Sequence, residues 1–162
     1  MIKKNWLTIL LTVIFILLNL LLTYHIAHAD TYDTIQKFLK EEKLTTTDKY
    51  FEWVFFNITY VSDKIDYAQS PEETLKLKQG DCEDFAILNQ AVLKHFGIQS
   101  GFWGVYSNRK SGHAIIVFWE NGQLSYTSNE MKVETGTTSI EELTEHLNTQ
   151  GYKTRKNNYG SY

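Results

Sequence analysis

Gly80-Asp81-Cys82-Glu83-Asp84-Phe85-Ala86-Ile87-Leu88-Asn89-Gln90-Ala91-Val92-Leu93-Lys94-His95-Phe96-Gly97 is the stretch on which the reading of this chain turns. Phe85, Leu88, Ala91, Val92 and Phe96 recur at helical spacing and fall on one face. Asp81 is a good N-cap residue, and Gly97 sits where a left-handed helix terminus calls for glycine. The spacing therefore predicts a helix with Cys82 in its first turn. Backbone N–H groups at a helix start favour an anion, and a cysteine is a nucleophile only as its thiolate. Asp81, Glu83 and Asp84 oppose this, because like charges raise a thiol pKa. Two things could offset them: an imidazolium paired with the thiolate, or a divalent cation on the carboxylates, for which oxygen-only ligands suit calcium. Acids in a first helical turn are also ordinary solvent-facing residues.

Cys82 is the only cysteine in 162 residues, so it cannot pair within the chain. Upstream, Ser70-Pro71-Glu72-Glu73 reads as a helix start with proline in the first turn. Tyr32, Ile35, Phe38 and Leu39 predict a helix over 30–43, and 50–61 reads as another, with strand as the alternative given its aromatic and β-branched residues. Downstream of Gly97 the pattern changes to short β runs, 100–106, 113–119 and 124–128, with a polar loop over 107–112. Ser139-Ile140-Glu141-Glu142 has the capping-box pattern and opens a helix to about Thr149, and residues from Gly151 read as an added edge. Helices followed by strands give an α+β domain, with the nucleophile helix packed on a small antiparallel sheet.

The segment 1–29 stands apart. Lys3-Lys4, an apolar run from Trp6 to Leu22 and Ala27-His28-Ala29 fit a signal peptide cleaved after Ala29, with 30–162 as the mature domain. The run is long for a signal, so an uncleaved membrane anchor through 6–24 is the alternative. Either reading exports the domain to a periplasmic or extracellular location. Net charge is −3, and −5 without Lys3 and Lys4, which is a poor match for nucleic acid. Lys153, Arg155 and Lys156 form a short basic end that reads as solvated.

Three histidines follow residue 30. His95 reads as structural, His146 as a surface residue, and His113, opening a strand after a glycine-containing loop, as the base for Cys82. An orienting group is then needed. If Glu120-Asn121-Gly122 forms a three-residue loop, His113 lies opposite Asn129 and Phe118 opposite Leu124. If the turn is Asn121-Gly122 alone, the register slips by one, and His113 meets Glu130 with Ser128 diagonal. The first is preferred for its apolar pairing, giving Asn129.

Gln69-Ser70-Pro71-Glu72-Glu73-Thr74-Leu75 followed by the Gly80–Leu88 block resembles the bacterial transglutaminase-like cysteine proteinases, as do Asn57, Tyr60, Ser62-Asp63 and Gly112-His113-Ala114. The resemblance spans about Tyr50 to Asn129. It implies a papain/transglutaminase-like fold, a Cys-His-Asp triad, hydrolysis of a peptide bond in a periplasmic or cell-surface protein, and calcium near the nucleophile. On this chain it makes Cys82 the nucleophile, His113 the base, and Asp81 and Glu83 the candidate calcium ligands. The chain departs from the pattern twice: Ala68 replaces a tryptophan, and Thr127-Ser128-Asn129 stands where an aspartate is expected. Asn57 is a candidate second oxyanion donor. The competing functions are transglutaminase-type acyl transfer and a noncatalytic exported binding domain.

Overall fold

The computed structural model describes residues 6–62, 67–107 and 112–154, with backbone only at 25–30. Lys3, Lys4, Asp63, Arg155, Lys156 and the 108–111 part of the expected loop lie outside the described residues. Five helices and seven strands are described: α1 (Trp6–Glu41), α2 (Thr47–Asn57), β1 (Thr59–Tyr60), α3 (Pro71–Leu77), β2 (Gln79–Gly80), α4 (Cys82–His95), β3 (Ser100–Ser107), β4 (Gly112–Glu120), β5 (Gln123–Ser128), β6 (Met131–Thr137), α5 (Ile140–Thr149) and β7 (Tyr152–Thr154).

The main sheet has the order β6-β5-β4-β3-β7, and every pairing is antiparallel. Side chains alternate across a strand, and β4 uses this to serve two cores. Ala114, Ile116 and Phe118 face a layer containing Phe85, Leu88, Val92 and Leu93 of α4, with Ile35, Tyr50 and Val54 of α1 and α2. Ile115 and Val117 face the other way, onto Leu143 and Leu147 of α5. Full burial of a large aliphatic or aromatic side chain favours folding by about 2 kcal/mol, so the apolar face of α4 is the main adhesive between helix and sheet.

Local chemistry fixes the helix ends. Thr46 caps α2 and Ser70 caps α3, with Pro71 in the first turn and a reciprocal Ser70–Glu73 box. At the end of α4, Gly97 takes φ +72° and lets the chain turn into β3. Three elements differ from the sequence reading. The second helix stops at Asn57, and Thr59–Tyr60 instead pairs in parallel with Gln79–Gly80. Met131–Thr137 forms an edge strand that its polar sequence conceals. The N-terminal apolar run and the 30–41 helix are one continuous helix.

Candidate active site

The Gly-Asp-Cys-Glu-Asp block builds a rigid pedestal for one thiol. Asp81 caps α4, its Oδ1 accepting the Glu83 N–H at 2.9 Å and the Asp84 N–H at 3.4 Å. Asp84 turns back into the protein and is 1% exposed. Its Oδ2 accepts the Asp81 N–H at 2.9 Å, and its Oδ1 accepts the Gln69 N–H at 2.7 Å. One carboxylate thereby ties α4 to the lead-in of α3. Glycine at position 80 follows directly, because a Cβ there would lie 2.6 Å from Asp84 Cβ.

Cys82, the first residue of α4, is held half-buried against the core. Burial is the main influence on its thiol and pushes the pKa above the ordinary value. The Ala114 N–H, bonded to the sulfur, pulls it down, while Asp81 and Glu83 push it up again, for a net rise. The sulfur thus meets β4 at the residue next to His113. Pairing of β5 with β4 reaches no further than Ile115, so Ala114 and His113 lie beyond the ladder on that side.

The His113 ring shares a 2.9 Å hydrogen bond, Nε2 to Ser128 Oγ, and stacks on Tyr152 with centroids 6.1 Å apart. Burial lowers its pKa below the ordinary histidine value. Among the described residues no thiol–imidazole hydrogen bond forms. Burial thus acts on the two groups in opposite directions, raising the thiol and lowering the imidazole, and both shifts disfavour the thiolate–imidazolium pair that was one of the two ways of offsetting the acids.

The preferred register is corrected. Glu120 pairs with Gln123, so the turn is Asn121-Gly122 alone, both with positive φ, and Ile115 faces Ser128. The diagonal neighbour Ser128 therefore accompanies the imidazole, and Asn129 does not. Asn129 is a corner of the β5–β6 turn with φ +52°, and its carbonyl accepts from Asn89 Nδ2 at 3.0 Å. Asn89 Oδ1 in turn accepts the Tyr50 hydroxyl at 2.8 Å, which fixes the turn to α4 and α2. Glu130 is the second turn residue, and its Oε2 has no hydrogen-bond partner among the described residues.

Other expected residues take other roles. Asn57 folds back to donate to the Trp53 carbonyl at 2.8 Å, so its side-chain amide serves its own helix. His95 lies tilted against Tyr32, with ring centroids 5.1 Å apart. His146 is half-buried, with its ring against Tyr126. Of the acids near the thiol, Asp81 commits its Oδ1 to two amides and Asp84 faces inward, and among the described residues no three His, Cys, Asp or Glu side chains group to hold a metal, so side chains alone do not assemble a calcium site at Asp81 and Glu83. A cavity of about 770 Å³ lies between α1 and the flank of α4, lined by Tyr32, Ile35, Ile87 and Lys94, and excludes the thiol.

This architecture recurs in solved structures. A candidate cysteine protease from Cytophaga hutchinsonii superposes with TM-score 0.51 at 22% identity, over 64% of this chain. This chain spans only 41% of that protein. LapG of Legionella pneumophila, solved in a calcium-bound form, gives TM-score 0.48 at 20% identity, covering 79% of this chain and 70% of its own. No curated protein matches the chain. The family model described as a transglutaminase-like domain matches residues 29–125, which takes in Cys82 and His113 and stops short of Ser128. By that match, over more than half its length, this chain belongs to the transglutaminase-like domain family.

Proposed function

We propose that this protein is an exported cysteine peptidase that hydrolyses a peptide bond in a protein substrate, with Cys82 as nucleophile and His113 as base. The carrying observation is the thiol in the first turn of α4, bonded to the Ala114 amide beside a half-buried histidine whose Nε2 is occupied. With Ser128 Oγ accepting from Nε2–H, Nδ1 is left as the basic nitrogen. Catalytic contacts in free enzymes are often open and tighten when substrate binds. Proton transfer from sulfur to Nδ1 then accompanies attack on the carbonyl carbon. The Cys82 N–H helps hold the developing oxyanion, as amides at a helix start can. His113 returns the proton to the leaving amine, and water attacks the thioester to release the acid and free the thiol.

The test is a Cys82→Ala variant against wild type on a panel of exported proteins, read by mass spectrometry, with circular dichroism to check the fold. Loss of cleavage with the fold intact is expected, and cleavage by the variant would refute the assignment. A cross-link or amine adduct in place of a cut would mean acyl transfer instead. A noncatalytic binding domain has one specific observation in its favour: a serine, where the family pattern has an aspartate, is the partner of the imidazole.

A further inference from the structure

The apolar segment Trp6–Tyr24 has mean hydropathy 2.5 and none of it is buried in the protein. Its 19 residues make about 29 Å of helix, close to the roughly 30 Å hydrocarbon thickness of a bilayer. The same helix continues without a break to Glu41, and its far end belongs to the catalytic core: Ile35 is 1% exposed and Leu39 4%. A cut after Ala29 would fall inside this helix. Tyr32, eight residues past Tyr24 and therefore about 12 Å along the helix, packs its ring against His95 at the C-terminal end of α4. Cys82 stands at the other end of α4, 13 residues away, which adds at most about 20 Å.

We propose that α1 is an uncleaved strut, spanning the membrane with one half and folding into the domain with the other, so that the thiol works at a fixed height and acts on the membrane-proximal stretch of a polypeptide anchored in the same membrane. The substrate part rests on the peptidase reading, whereas the strut does not. The ceiling is about 30 Å above the bilayer, a height that roughly ten residues of extended chain can span.

The test uses the full chain in liposomes with transmembrane probe peptides, each carrying one cysteine 3, 6, 10, 15 or 30 residues beyond its span. Cys82 is the only protein thiol, so oxidation by copper phenanthroline reports disulfide capture at that site alone. Capture is expected to begin by about the ten-residue probe. A seven-residue helical insertion after Tyr24, nearly two turns, should raise the thiol by about 10 Å and move the onset outward by about three residues. A Gly-Ser insertion of equal length should blur the onset. Three results would overturn the proposal: capture independent of probe length, an onset unmoved by the helical insertion, or a membrane-purified chain whose mass begins at Asp30. Capture needs no turnover, so its failure would count against the strut and leave the peptidase assignment standing.

Discussion

Replacing Asp84 by Asn separates a structural role for the acids around Cys82 from a metal-binding one. The substitution preserves shape, but both carboxylate oxygens now accept from different backbone amides, Gln69 N–H at 2.7 Å and Asp81 N–H at 2.9 Å, in a site 1% exposed. An amide side chain has one oxygen, so one of these N–H groups must face an NH2 donor. A backbone bond to a buried charge contributes about 1.5–3 kcal/mol, and the surviving bond falls to the neutral range near 1 kcal/mol. The expected loss is about 3 kcal/mol, or a fall in Tm of roughly 10 °C for a domain of this size. Urea unfolding followed by tryptophan fluorescence measures it, with calcium or EGTA present in parallel samples. A loss under about 0.5 kcal/mol, or one that appears only with calcium, would refute the locking role.

Burial raises the Cys82 thiol and lowers His113, so iodoacetamide alkylation should be slow at neutral pH, quicken only above the ordinary thiol range, and ignore calcium; fast alkylation at pH 5–6 would mean an ion pair instead. Ser128→Asp should raise the His113 pKa by placing a carboxylate beside Nε2 and shift the alkylation profile to lower pH, while Ser128→Ala should cut turnover; matching profiles for the two variants would dismiss Ser128 as the partner. Because burial lowers the folded-state pKa of His113, its contribution is complete above the ordinary histidine pKa and fades as pH falls from about 6.5 toward the lowered value, so wild type should lose more stability than His113→Gln over that window. Lys132 Nζ lies 2.6 Å from Asp48, 2.6 Å from Glu120 and 3.4 Å from Glu134, and Lys132→Met should cost roughly 3 kcal/mol by leaving the shielded Glu120 carboxylate without its counter-charge, measured by the same urea titration.

The parts of the fold written in short-range chemistry were readable. The Asp81 cap, the helical face from Phe85 to Phe96, the left-handed Gly97 and the Ser-Pro and Ser139 helix starts all act within one or two turns of chain, and all appear where the pattern puts them. The register of the β4–β5 hairpin was not readable, because it depends on residues far away in sequence. Glu120 remains in its strand with its carboxylate bonded to Lys132 and to the Thr47 hydroxyl at 2.7 Å, and neither contact is visible in the turn itself. The same limit left Ser128 with the less favoured of the two registers. Edge strand β6 buries too little apolar surface to show alternation, with Val133 its main apolar contribution to the core. Asn57 has the right chemistry for an oxyanion donor, but its own helix terminus offered a nearer acceptor.

The tip Asn121-Gly122 behaves like a gear with two teeth. A slip of one tooth in the β4–β5 pairing would turn all of β5 over, carrying Leu124 and Tyr126 out of the α5 core along with Ser128. The imidazole's companion is therefore locked in by hydrophobic packing several residues away. Retuning the site by slipping the hairpin register would dismantle the sheet first, so chemical change has to come by exchanging the side chain at position 128 itself.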